Sequence, residues 1–218
     1  MDAALPSGAT SHDFFRRARA RLTLDVPAAL DDPTVEATRG DLDLDPAMWE
    51  QAGVKATRPA AVLVPVVDRS EPTVLLTLRT ELPSHPGQIA FPGGKIEPQD
   101  HTPAEAALRE AAEEIGLARA LIEPIGYLDL YLTFSGYRIL PTVARVAPDY
   151  KLVLSEREVA DAFEVPLTFL MDAQNHALHS RDWKGVTRKY YAMPFGERYI
   201  WGVTAGILRN LYERIYGG

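Results

Sequence analysis

The sequence predicts an α/β (α+β) chain, a mixed sheet with helices on its faces, and three stretches carry that expectation. Ala60–Val67 is an apolar, β-branched run with no polar interruption, the pattern of a strand covered on both sides. Thr102–Gly116 is a helix with both ends marked. Trp201–Tyr216 closes the chain with Val203, Ile207, Leu208, Leu211 and Ile215 on one helical face.

Taken in order, Ser11–Leu22 reads as a short amphipathic helix, with Phe14, Phe15, Ala18 and Leu22 forming its apolar stripe. Its arginines would also suit a membrane surface or a targeting segment, but packing against the main domain is the simpler expectation for so short a segment, with Asp2 and Asp13 nearby. Residues 23–57 hold Pro27, Pro33 and Pro46 among several aspartates and read as a loop-rich arm. The expected organisation is therefore an arm over residues 1–57 packed on a domain over residues 58–218. Within that domain Thr73–Arg79 should pair with Ala60–Val67 across the Asp68–Pro72 turn, and Gln88–Phe91 should be a short strand. Ile122–Thr133 and Tyr137–Val146 read as two long strands joined at Phe134-Ser135-Gly136. Ser155–Phe163 offers an N-cap and a short helix, Pro166 should interrupt any ladder, and Ala177–Pro194 should form a hairpin about Lys184-Gly185.

Composition narrows the function classes. At 218 residues the chain can bury one decorated domain. It has no cysteine, which removes disulfides, thiolate metal sites and cysteine nucleophiles together, and fits a cytoplasmic setting. A formal net charge of −7 argues against nucleic acid as a partner, and no apolar run is long enough for a membrane span. A polyanionic substrate would need local positive charge or a metal to approach.

The chemistry concentrates in Phe91–Leu117, FPGGKIEPQDHTPAEAALREAAEEIGL. Thr102 suits the N-cap, Pro103 the first helical position, Glu105 completes a capping box, and Gly116 can end the helix in a left-handed conformation. At about 3.6 residues per turn, Glu110, Glu113 and Glu114 share a face with Ala106, and Leu108, Ala111, Ala112 and Ile115 cover the other side. Like charges at this spacing repel. A divalent cation would compensate them, and Gly93-Gly94 would let backbone carbonyls come close to it. Taken alone, the three glutamates would more readily describe a solvated acidic face.

The surrounding residues decide between these readings. Arg109-Glu110-Ala111-Ala112-Glu113-Glu114-Ile115-Gly116-Leu117 resembles the second half of the Nudix hydrolase signature, with a small residue at its first hydrophobic place. The first half is looser: Gly94 is followed after five residues by Asp100 instead of Glu, and the spacing from Asp100 to Arg109 is one residue long. Upstream, Leu75–Arg79 and Ser84–Gly94 resemble the additional motif of the coenzyme A pyrophosphatase branch, in a form one residue shorter and with Pro83. The resemblance continues more weakly through Val165-Pro166-Leu167 and Ile200-Trp201-Gly202.

This resemblance implies a Nudix-type αβα sandwich and metal-dependent hydrolysis of a phosphoanhydride. Glu113 and Glu114 would bind Mg²⁺ or Mn²⁺, Glu110 would be a ligand or the base activating water, and the Gly94 carbonyl would complete the shell. Arg109 would orient a glutamate, and its i to i+4 spacing from Glu113 makes that ion pair available on geometry alone. A further acid would come from Glu156, Glu158 or Glu164, with Glu158 preferred. Substrate contacts would come from Arg79 and His85, and from Arg181 and Lys184 in a basic group with Arg188 and Lys189. The substrate so implied is coenzyme A or a thioester of it, cut to 3′,5′-ADP and a 4′-phosphopantetheine product. A homodimer is a separate expectation, which the sequence does not decide. Other expectations are ADP-ribose, dinucleoside polyphosphates or nucleoside triphosphates as substrates, and a nucleotide sensor that cuts nothing.

Overall fold

A computed structural model describes residues 10–35, 37, 39–41, 43–46, 49–50, 53, 55–80, 87–183 and 186–217. The central strand is β2, Arg58–Val67, which runs parallel to β8, Tyr137–Val146, over ten residue pairs from Arg58↔Tyr137 to Val67↔Val146. Its uninterrupted apolar run follows from burial on both faces. Ala61, Leu63 and Val67 pack under one helix layer, and Val64 and Val66 under the other.

The rest of the large sheet grows from this pair. β3, Thr73–Arg79, turns back from β2 but stays paired with it only at Val66↔Val74 and Val67↔Thr73. The first half of β2 pairs instead with β5, Gly93–Lys95, while β3 leaves to pair with β4, Ile89–Ala90, and with β9, Val159–Pro166. The sheet thus splits between β5 and β4. On the far side of β8 lie β6, Ile122–Tyr127, and β7, Tyr131–Leu132, with the two-residue β1, Arg39–Gly40, parallel to β7.

Helix α2, Pro103–Ile115, covers one face through Ala106, Ala107, Leu108, Ala111 and Ile115. The opposite face is covered by α1, Ser11–Arg21, and by α4, Val203–Ile215; a short helix α3, Leu167–Leu170, follows β9. This is the expected sandwich of helix, mixed sheet and helix. A second, antiparallel sheet of β10, Ala177–Trp183, β11, Val186–Phe195, and β12, Arg198–Trp201, packs on the α4 side. The described part of the N-terminal arm is pinned by Arg138, 3% exposed, whose guanidinium donates to the carbonyls of Ala29 at 2.5 Å and Ala56 at 3.1 Å. More distant donations reach Asp32 and Val35.

Several expectations are corrected. Ser155–Phe163 is no helix: Ser155 opens a turn, and the chain enters β9 at Val159 because β3 offers a free edge for pairing. Pro166 lies within β9 as its last residue, opposite Thr73, where the missing N–H breaks nothing further along. The long strand Ile122–Thr133 breaks between Tyr127 and Tyr131, and Ala112 on α2 is exposed. No helix among the described residues is long and apolar enough to cross a membrane.

Candidate active site

The site is built where α2 passes the glycine pair of β5. As its sequence requires, α2 begins with the Thr102 hydroxyl accepting from the Glu105 N–H at 3.1 Å and ends at Gly116 with φ 66°. That fixes the phase of the helix, so Glu110 and Glu114 point inward, together with the fully buried Ala106, towards Gly93 and Gly94.

The glycine pair is there for space. A Cβ at Gly93 would stand 2.5 Å from the Ala61 carbonyl oxygen, and its φ of 156° is one that other residues rarely adopt. A Cβ at Gly94 would fall on the Glu110 carboxylate. The acid therefore lies directly against β5 backbone, an approach that only a residue lacking a side chain permits.

Arg109 organises the outer part of the cluster. It bonds both oxygens of Asp100, at 3.0 and 2.9 Å, Glu110 Oε1 at 2.9 Å, Glu113 Oε2 at 3.1 Å and the Lys95 carbonyl at 3.1 Å. The fork of Arg109 beside Asp100 holds that carboxyl below its ordinary value. Asp100 is the residue that sequence reasoning left without a role. Its signal was its place at the acidic position of the signature, and its role is to anchor Arg109, which bridges to the glutamates.

Glu114 is deeply buried, 4% exposed, and accepts the Gly93 N–H at 3.2 Å. Burial pushes its carboxyl up to about 7, with Glu110 and Glu158 adding to the rise and the Gly93 bond and Arg79 opposing it. Burial likewise raises Glu110, with Glu113 and Glu158 contributing and Arg109 opposing. Glu158 is exposed, yet its field reaches both acids because the main chain at Arg157 and Glu158 is tied to the end of β3: Thr80 donates its N–H to the Glu158 carbonyl and its hydroxyl to the Arg157 carbonyl. Glu164 is spent elsewhere. It accepts from Arg69 Nε and Nη2, the Thr73 hydroxyl and the Tyr150 hydroxyl, and these bonds outweigh burial and hold it down at about 2.

Of the predicted substrate contacts, Arg79 is brought to the site. A register shift between Leu78 and Arg79 re-aims the strand end, and Arg79 Nη1 stands 4.0 Å from Glu114 Oε1. Arg181 is exposed on β10 opposite Arg188 and, among the described residues, shares no ion pair with these acids. His85 and Lys184 lie outside the described residues.

The donor set suits a hard divalent cation: carboxylate and carbonyl oxygens, with neighbouring acids that raise the inner carboxyls Glu110 and Glu114. Among the described residues no three Asp, Glu or His side chains already gather into an ion-sized cage. Arg109 draws Glu110 and Glu113 towards itself, while the Gly93 N–H holds Glu114. Bringing these acids to one ion would exchange such bonds for metal bonds.

The model of the NUDIX domain family matches residues 57–184. The chain is 39% identical over 157 residues to an uncharacterized Nudix hydrolase, NudL, of Yersinia enterocolitica, covering 72% of this chain and 80% of that protein. It is 38% identical over 161 residues to NudL of Yersinia pestis, with the same shares. A crystal structure of a Nudix hydrolase from Alicyclobacillus acidocaldarius superposes with a TM-score of 0.44 at 21% identity, over 54% of this chain and 82% of that one. Nudix hydrolases generally use divalent metals. With that domain spanning the sheet and the acid-bearing helix, the chain belongs to the Nudix hydrolase family, whose members act on pyrophosphate bonds of nucleotide derivatives.

Proposed function

We propose that this chain hydrolyses the diphosphate linkage of coenzyme A or its thioesters, giving 3′,5′-ADP and 4′-phosphopantetheine or its acyl derivative, in the cytoplasm. The observation that carries the reading is the position of Arg79, the last residue of the upstream Leu75–Arg79 motif, 4.0 Å from the buried Glu114. A cation so close to the metal-binding acids is placed to meet a substrate phosphate oxygen there.

Glu110, Glu113, Glu114 and the Gly94 carbonyl would hold Mg²⁺ or Mn²⁺. Such an ion, when bound, offsets phosphate charge and lowers the pKa of water. The protein's own residues do the rest. Arg109, anchored by Asp100, sets where Glu110 and Glu113 stand. The Gly93 N–H holds Glu114 beside β5 until an ion takes over that oxygen. Glu158, on a turn tied to Thr80, lies within electrostatic reach of both inner acids and can take a proton from the attacking water. Water oxygen then bonds to phosphorus as the anhydride P–O bond breaks, and the departing phosphate carries away the bond's electron pair.

The test is product analysis by mass, with Mg²⁺, Mn²⁺ or chelator, against coenzyme A, 3′-dephospho-coenzyme A, ADP-ribose and nucleoside triphosphates. Metal-dependent 3′,5′-ADP as the dominant product, with weaker turnover when the 3′-phosphate is missing, is expected. Preference for ADP-ribose or a triphosphate would overturn the choice of substrate.

A further inference from the structure

The small sheet carries a face that the hydrolytic site does not use. Alternation along the strands puts His179 and Arg181 of β10, Tyr190 of β11, and Tyr199 and Trp201 of β12 on one side. The opposite side sends Met193 and Ile200 into the core. The rings form a continuous set. Tyr190 and Trp201 have centroids 5.4 Å apart, His179 stands 6.0 Å from Tyr190, and the Tyr199 hydroxyl meets His179 Nδ1 at 2.9 Å. Tyr199 is 40% exposed and Tyr190 and Trp201 are half-buried, so aromatic surface is held in place while still open.

Two contacts set this face beside the split in the large sheet. At one end Trp201 leads into Gly202, where a Cβ would come within 3.9 Å of Gln88 Nε2, and the Gln88 carbonyl accepts the Arg79 N–H at 2.9 Å. At the other end the Arg188 guanidinium lies 4.4 Å from the centre of the Phe134 ring, in the turn whose Gly136 carbonyl accepts the N–H of Arg58 at the start of β2. The stretch of β2 that follows is the one paired with Gly93–Lys95.

We infer that the Tyr190–Trp201 face is the stacking platform for the nucleobase of the substrate, with Arg181 as the cation that meets a phosphate on its ribose. The inference rests on the reading of the substrate as an adenine nucleotide diphosphate. Aromatic rings held at fixed angles accept a base by its π-face without reading its edge. A free guanidinium beside them supplies the charge complementarity that a chain of net charge −7 must provide locally. Arg181 is exposed and, among the described residues, has no ion-pair partner.

Calorimetric titration of the full chain in chelator, where nothing is turned over, tests this with 3′,5′-ADP, 5′-AMP and 4′-phosphopantetheine as separate probes. The expected result is binding of both nucleotides, weakened about 5- to 100-fold by Tyr190→Leu and Trp201→Leu, restored by Tyr190→Phe, and weakened by Arg181→Ala for 3′,5′-ADP only. 4′-Phosphopantetheine should bind no differently to any variant. Nucleotide affinity unchanged in both leucine variants, or no nucleotide binding by the parent, would overturn the platform. Because these titrations need no turnover, failure of coenzyme A as a substrate would leave a positive binding result standing and would count against the substrate alone.

Discussion

Glu114 carries opposed demands. As a ligand of the proposed cation its carboxylate would need to be charged, yet burial raises it to about 7 from an ordinary 4.5, so in metal-free protein above that pH a buried charge is held at a cost. The folded state binds this proton more tightly than the unfolded chain, so stability declines as pH rises from about 4.5 to 7 and the deficit persists above it. Glu114→Gln keeps an acceptor for the Gly93 N–H and removes the charge. In chelator at pH 8 its melting temperature should exceed the parent's, by about 2–4 °C for each kcal/mol relieved, and the two should converge towards pH 4.5. Added Mg²⁺ or Mn²⁺ should stabilise the parent more than the variant, and activity should fall by more than about 100-fold. A variant that melts below the parent in chelator at pH 8 would refute this account of the site.

At the scale of elements, α2 shows how far local sequence reaches. Thr102, Pro103 and Gly116 act where their chemistry predicts, and Glu105 reaches back one residue further than a capping box has it, to the His101 N–H; each cap is a contact between residues three or four apart and needs no tertiary partner. Thr102→Ala should therefore cost about 1 kcal/mol while leaving kcat/KM within about twofold, since the acids sit in the last turns of the helix, far from that cap. Chemical denaturation beside steady-state kinetics would show the separation; a large loss of activity would mean that the cap positions the acids. What was not legible depended on partners distant in sequence. The segment Ser155–Phe163 has a fair N-cap, but the open edge of β3 claims Val159 onward as a strand. Ala112 fits an apolar stripe on paper and faces solvent, whereas Ala106 and Glu114 go inward because β5 lies against that side. The pairing of Arg109 with Glu113 could be read from spacing, and the three helix acids from the signature they resemble. The grip of Asp100 on Arg109 could not, since it depends on the path of the loop between β5 and α2.

Across the whole molecule, Glu164 ties regions that α2 does not reach. It joins β9 to Arg69 in the β2–β3 turn, to Thr73 at the start of β3 and to Tyr150 in the connection after β8, with Tyr150 Oη at 2.5 Å and Arg69 Nη2 at 2.8 Å. Its carboxyl is held at about 2, so its contribution is complete above about pH 4.5 and disappears as pH falls through 2. Glu164→Gln should be less stable than the parent at neutral pH, with the gap closing on acidification between those limits, as followed by denaturant melts across pH. A gap independent of pH would assign the loss to packing.

Arg138 gives the arm a different standing from that of an appendage. The region shared with the family begins at residue 57, but the carbonyls that solvate this hidden guanidinium at close range belong to Ala29 and Ala56, both upstream of it. The boundary that relatives share and the boundary at which the chain can be cut are thus different lines. A gene trimmed to the conserved region would encode a cation stranded in the interior, and the arm serves the catalytic domain as part of its solvent.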